Sequence, residues 1–134
     1  MYKRQVWSGG IADAKRVREI GVRTHFDSGT VHLRNGSLEK AMDDFTSVIR
    51  MDPNHAEAYC NRGDAHAEKG DYDRAIADCT AAIQIDPRYC AAYVNRGNAH
   101  AGKGDYDRAI TDCTAAIRID PNHAEAYVLS LIHI

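Results

Sequence analysis

The sequence predicts an all-α protein built as a solenoid of antiparallel helix pairs. Three observations support this prediction: a 34-residue repeat, apolar residues at helical spacing within each copy, and Gly-Asp and Asp-Pro pairs that end the helices. Residues 56–89 and 90–123 are identical at 25 of 34 positions, and residues 22–55 form a more divergent copy with 9 identities to the second. A period of this length is typical of supersecondary units that stack on their neighbours.

Composition excludes several classes of protein. The 134 residues include 17 Lys and Arg against 19 Asp and Glu, which gives a formal net charge of −2, and 44% of the residues are hydrophobic. This balance argues against a disordered chain and against a nucleic-acid-binding protein. The chain contains no run of about 18 apolar residues, so the sequence predicts no membrane-spanning helix. The start of the chain shows no signal peptide, and we expect a cytoplasmic location without a membrane partner.

The first element, residues 6–21, does not fit the repeat. Residues 11–20 have the spacing of a short helix that covers the first repeat, with Val17 and Ile20 facing inward. The same segment is equally consistent with the tail of an upstream domain. The sequence leaves both alternatives open.

Both ends of the chain resemble translated sequencing adapter. One set of codons for residues 129–134 is the transposon end used to prepare sequencing libraries, and its reverse complement encodes residues 2–5. We therefore expect residues 1–5 and 129–134 to be adapter-derived, and residues 124–128 to begin a truncated fourth repeat. On this hypothesis the natural protein continues in both directions.

Each repeat is predicted to contain two helices. In the second copy, the first helix is expected over residues 56–69, with Asn54 as its N-terminal cap. Gly70 then breaks the helix, and a second helix is expected over residues 72–85, where Pro87 prevents its continuation. The apolar residues of this second helix share one face: Ala75, Ile76, Cys79, Ala82 and Ile83.

These units resemble the tetratricopeptide repeat, whose signature is W-x2-L-G-x2-Y, then A-x3-F, then P. The second and third copies read Tyr59-x2-Arg62-Gly63-x2-His66, Ala75-x3-Cys79, Pro87 and Tyr93-x2-Arg96-Gly97-x2-His100, Ala109-x3-Cys113, Pro121. The first reads His25-x2-Ser28-Gly29-x2-His32, Ala41-x3-Phe45, Pro53. The resemblance covers about residues 22–128 and implies a right-handed superhelix, in which Gly63 and Ala75 lie where paired helices approach most closely.

Two arginines occupy an otherwise apolar position of the signature. We expect each side chain to pack along its helix with the guanidinium in solvent or paired to a carboxylate. Asp78 is the expected partner of Arg62, and Asp112 that of Arg96. A direct ligand role for the arginines is the alternative.

No metal, cofactor or catalytic set is predicted, so we do not expect an enzyme. Three histidines recur in register, but adjacent repeats lie about 10 Å apart, too far to share one ion: His32, His66 and His100. Cys79 and Cys113 are expected to be small buried apolar residues, whereas Cys60 and Cys90, on first helices, are expected to be more exposed.

The resemblance implies that first helices line a concave surface where a peptide or a partner helix binds. The ligand-contacting residues that we predict from it are Asp27, Arg34, Glu57, Asn61, Asp64, Glu68, Val94, Asn95 and Asn98, with Arg23, Phe26 and Thr30 on the same surface. Asn61 and Asn95 recur in register, and an amide can both donate to and accept from a peptide backbone. A structural hydrogen bond is the alternative role for both.

The charge of this surface bears on the ligand. Members of the family that hold the acidic C-terminus of a chaperone need Lys and Arg there, whereas the second repeat offers Glu57, Asp64 and Glu68. A basic or mixed peptide therefore fits better. The function predicted is a protein-interaction scaffold. The alternatives are a docking or regulatory arm of a larger enzyme or signalling protein, and self-association through uncapped repeat ends.

Overall fold

The computed structural model describes the backbone of residues 2–123 and the side chains of residues 10 and 12–123. The predicted start of a fourth repeat at residues 124–128 and the adapter prediction for residues 129–134 lie outside the described residues. The adapter prediction for residues 1–5 stays a prediction.

Six α-helices follow one another along the described chain, and a further helical turn begins at residue 121. They are α1 (Tyr2–Arg34), α2 (Leu38–Met51), α3 (Ala56–Glu68), α4 (Tyr72–Ile85), α5 (Cys90–Gly102) and α6 (Tyr106–Ile119). The predicted all-α class is confirmed. Within the described residues, no helix has both the length and the apolar composition that crossing a bilayer requires.

The N-terminal segment is not a separate short helix, because α1 runs without a break for 33 residues. The prediction that Val17 and Ile20 face inward is wrong, since these side chains are 67% and 57% exposed. At 1.5 Å per residue α1 is about 50 Å long, whereas the 14-residue α2 spans about 21 Å. Met51, the last residue of α2, lies level with Gly21, so the preceding turns of α1 extend beyond their partner.

Three glycines end the first helix of each pair in the left-handed region, with φ of +78° at Gly36, +82° at Gly70 and +84° at Gly104. After two of these turns, an aspartate caps the next helix: Asp71 accepts from the backbone N–H of residue 74 and Asp105 from that of residue 108. The predicted Gly-Asp breaks are confirmed. At the start of α3, however, the cap is His55 and not Asn54. The imidazole Nδ1 of His55 accepts from the N–H of residue 58 at 3.2 Å.

A Gly70→Ala substitution should lower the free energy of unfolding by about 1 kcal/mol, because a Cβ is strained at positive φ. The measurement is urea denaturation followed by circular dichroism. Gly10→Ala is the matched control: a Cβ added at this helical glycine would meet nothing within 4 Å, so the change should not destabilise. Equal losses in the two variants would contradict the role of the turn.

Successive helices pack as hairpins, and each hairpin packs on the next. First helices also contact one another, α1 with α3 and α3 with α5. Among the six helices described, no Cα atoms of α2 and α4, or of α4 and α6, lie within 8 Å of each other. The stack therefore curves towards its first helices, which form the concave side of the predicted solenoid.

Small residues sit where the helices of a pair approach most closely, as predicted. A Cβ on Gly63 would lie 3.1 Å from the carbonyl oxygen of Ala75 and 3.1 Å from the Sγ of Cys79. Cys79 and Cys113 are buried, as expected from their place on the apolar faces. The prediction that Cys60 is exposed is wrong: it is 1% exposed, because it lies on the face of α3 that packs with Ala82 of α4 and Ala92 of α5.

Candidate binding groove

The exposed face of the first helices carries all but one of the predicted ligand-contacting residues. Positions i, i+4, i+7 and i+11 share one face of a helix. They are Arg23, Asp27, Thr30 and Arg34 on α1, Glu57, Asn61, Asp64 and Glu68 on α3, and Ala91, Asn95 and Asn98 on α5. All of these residues are exposed or half-buried. Since α1, α3 and α5 lie side by side, the three stripes form one surface, which we call the groove.

Val94 does not belong to the groove, and its prediction as a ligand contact is wrong. It is 2% exposed and packs with Ala116 and Tyr93 in the core of the third repeat. Adjacent residues on a helix point about 100° apart, so the residue before Asn95 faces the neighbouring helices. Its side chain is therefore unavailable to a ligand.

The two recurring asparagines have different surroundings. The Asn95 Nδ2 donates a hydrogen bond to the Sγ of Cys60, 3.2 Å away. Burial raises the pKa of this thiol to about 12, so it stays neutral and accepts the bond. Asn61 forms no side-chain hydrogen bond with any part of the chain that the structure describes. The alternative of a structural hydrogen bond therefore applies to Asn95, whereas the amide of Asn61 is open to a ligand.

A cleft of about 320 Å³ opens at the N-terminal end of the groove, between α1 and the start of α3. Val22 and Phe26 contribute its apolar lining, and the imidazole of His55 lies against Phe26 with 5.0 Å between ring centroids. The other residues that line it are charged: Glu19, Arg23, Asp27 and Glu57. The structure thus brings together two of the predicted contacts, Asp27 and Glu57, around an apolar floor.

A second cleft of about 310 Å³ adjoins the first, because both are lined by His55 and Glu57. Its remaining lining comes from the ends of the second helices and the loops that follow them: Asp52, Asn54, Ala56, Asp86 and Tyr89. One oxygen of each aspartate caps its own loop, accepting from the N–H of residue 54 or 88. Three carboxylates line this cleft, whereas no Lys or Arg side chain among the described residues does.

The middle of the groove is also acidic. Burial and the nearby carboxylate of Glu68 both raise the pKa of Asp64 above its usual value. Arg34 lies exposed at the far end of the α1 stripe, and Asn98 is exposed on α5. Positive charge in the groove is therefore confined to α1, and the charged side chains that α3 contributes to the groove are all carboxylates.

The signature arginines pair with aspartates on the second helices. Arg62 Nε and Nη2 donate to the two carboxylate oxygens of Asp78 at 2.8 and 2.7 Å, and Arg96 pairs with Asp112 at 2.9 and 2.8 Å. Both predicted pairs are confirmed. The Nη1 of Arg62 also donates to Thr46 Oγ1 of the preceding repeat at 3.3 Å. These contacts hold each repeat against the one before it. They explain why arginine occupies this position of the signature, without a role in ligand binding.

The recurring histidines face carboxylates of their own repeats. The Nε2 of His66 lies 3.6 Å from Asp78, and that of His100 lies 3.8 Å from Asp112. Within residues 12–123, no three His, Cys, Asp or Glu side chains come together in a way that could hold a metal ion.

Several lining residues of the clefts were missed from the sequence. Glu19 lies on the part of α1 that precedes the first repeat, Val22 is the first residue of that repeat, and His55 was passed over in favour of Asn54 as the cap. Asp52 and Asp86 were interpreted only as helix stops. Their recurrence 34 residues apart, next to the start of a first helix, is the signal that could have placed them at the groove edge.

Comparison with known proteins gives a consistent family. Two family models, both described as tetratricopeptide repeat, match residues 26–89 and 90–123. A search of the curated proteins found no match.

Solved structures share the fold. The Arabidopsis OM64 TPR domain is 28% identical, with a TM-score of 0.80, and the match covers 87% of this chain and 99% of that one. The second TPR domain of human RPAP3, in complex with the HSP70 peptide SGPTIEEVD, is 26% identical, with a TM-score of 0.77 over 85% and 97% of the chains. An O-GlcNAc transferase of Thermobaculum terrenum, 22% identical, shows the fold alone: its TM-score is 0.81, over 87% of this chain and 23% of that one.

Proposed function

Because the chain belongs to the tetratricopeptide repeat family, we propose that it is a protein-interaction scaffold that binds a peptide or a helix of a partner protein in the groove. The observation that carries the proposal is the open amide of Asn61, which lies one helical turn after Glu57, a lining residue of the cleft with an apolar floor at Phe26. The peptide in the human RPAP3 structure supports the same kind of ligand.

The groove offers two kinds of contact. The Asn61 amide presents two donors and an acceptor, so it can bind the backbone of an extended segment whatever its side chains. The cleft can take one apolar side chain against Phe26, which removes apolar surface from water on both partners. Binding of this kind is non-covalent and reversible.

A displayed library of random peptides tests the proposal, with fluorescence anisotropy on the selected sequences. The Asn61→Ala variant should bind them about fivefold more weakly, the equivalent of about 1 kcal/mol for one hydrogen bond. Gln84→Ala, at an exposed position on α4, should leave the affinity unchanged. Unchanged affinity in the Asn61 variant would reject this residue as a contact. A library that yields no binder would reject the function.

A further inference from the structure

We propose that the ligand is a basic peptide: an apolar side chain sits on Phe26, and Lys or Arg side chains on either side of it face the carboxylates of the two adjoining clefts. This inference rests on the proposed function and assigns its ligand class. It departs from the peptide bound by human RPAP3, which contains three acidic residues and no basic one.

The two clefts are continuous. They share His55 and Glu57, so together they form one trough along the edge of the groove, from α1 past the start of α3 to the loop before α5. Ala56 and Tyr89 add apolar surface to the second cleft, while the apolar place in the first cleft is at Val22 and Phe26, which are half-buried. An extended peptide that places one apolar residue there has its neighbouring residues over the rest of the trough.

The charge around that apolar place is mostly negative. The two clefts are lined by one guanidinium, that of Arg23, by the imidazole of His55, and by five carboxylates, those of Glu19, Asp27, Asp52, Glu57 and Asp86. Lys15 and Arg18 line a neighbouring cleft together with Glu19 and Asp52, which leaves Asp27, Glu57 and Asp86 against Arg23. Close to the protein surface, unlike charges in contact still attract and like charges still repel appreciably. A peptide with Lys or Arg beside its apolar residue therefore complements the trough, and one with Glu or Asp there does not.

The chain holds some of its acidic side chains in ion pairs: Asp78 with Arg62, Glu39 with Lys69, and Asp73 with Lys103. In the part of the chain that the structure describes, none of the five trough carboxylates forms an ion pair. Asp64, further along the groove, likewise has no cation against it, and its pKa is raised by burial and by Glu68. A cationic ligand supplies the missing counter-charge.

Three synthetic peptides test the ligand class. They share one apolar residue and differ only in its two flanking residues, which are Lys, Gln or Glu. We expect the Lys peptide to bind about tenfold more tightly than the Gln peptide, to lose this advantage at high salt, and the Glu peptide to bind most weakly. The tightest binding by the Glu peptide would overturn the inference.

A neutralised variant shows where the charge acts. The double substitution Asp27→Asn with Glu57→Gln keeps the side-chain shape and should reduce binding of the Lys peptide by about tenfold, with no loss for the Gln peptide. Asp43→Asn with Asp107→Asn, exposed on second helices, is the matched control and should change neither affinity. Equal losses in the two double variants would overturn the placement in the trough.

The displayed library separates this inference from the proposed function. Binders rich in Lys and Arg support both. Binders rich in Glu and Asp overturn the basic-peptide inference and leave the scaffold function standing. If neither the library nor the three peptides yield binding, the scaffold function itself is rejected.

Discussion

Replacing Phe45 with alanine should lower the free energy of unfolding by about 3–5 kcal/mol, the range for removing a buried aromatic ring. Phe45 is fully buried and packs with Ala41, Val48 and Ala58, the last of which lies on α3. Its ring also meets Phe26 edge to face, with 5.9 Å between centroids. The substitution therefore weakens both the first pair and its joint with the second. Urea denaturation followed by circular dichroism measures the loss.

Two further variants show that the cost arises from lost packing. Cys79→Ala, at the corresponding position of the second repeat, removes one sulfur atom and should cost much less. Gly29→Ala should destabilise the natural chain, because its Cβ would lie 2.8 Å from the Phe45 ring. In the Phe45→Ala background the same methyl group enters the vacated space and should be tolerated. Additive losses from the two substitutions would contradict this packing.

Replacing Asp78 with alanine should cost about 3 kcal/mol, because it leaves the Arg62 guanidinium largely buried without its carboxylate. The side chains of Arg62 and Asp78 are 22% and 9% exposed, and both carboxylate oxygens accept from the guanidinium. Asp73→Ala is the control, because Asp73 pairs with Lys103 at the surface and its side chain is 78% exposed. That substitution should cost well under 1 kcal/mol.

The double variant Arg62→Leu with Asp78→Ala should recover most of the lost stability. Leucine is the signature residue at this position, and replacing a buried ion pair by apolar side chains is often neutral. The free energies of unfolding of the two single variants and the double variant form a cycle that isolates the pair. A double variant as unstable as the sum of the single ones would show that the two residues act independently.

Much of the fold was predictable because the chain repeats the same local signals. The Arg–Asp pairs were found from the sequence, since one carboxylate on the facing helix recurs at the same distance from each arginine. The length of α1 could not be predicted in this way, because the repeat pattern begins at residue 22 whereas the helix begins 20 residues earlier. The glycines within it cost only about 1 kcal/mol each, so they do not end a helix.

The sequence predicted that the groove lies on the first helices, but it predicted less well which of their residues face it. One residue of register decides whether a side chain faces the groove or the core, which is why Asn95 lies on the groove face whereas Val94 is buried. Asn61 and Asn95 occupy the same position of the repeat, so they look equivalent in the sequence. Their neighbours in the preceding repeat differ, however. Asn95 lies against the sulfur of Cys60, at the position where the first repeat has Phe26. The clefts combine three separate segments, and no single stretch of sequence shows that they meet.

The joint between repeats has a consequence for how such a chain can be inherited. Arg62 bonds Thr46 of the unit before it, and Arg96 bonds Thr80 in the same way, so the second unit carries both halves of the joint. Copying or deleting one whole unit would bring a matching threonine and arginine together again. Unequal exchange between the stretches of the gene that encode the second and third units, whose residues are identical at 25 of 34 positions, can therefore lengthen or shorten the array by one unit, and with it the length of the groove.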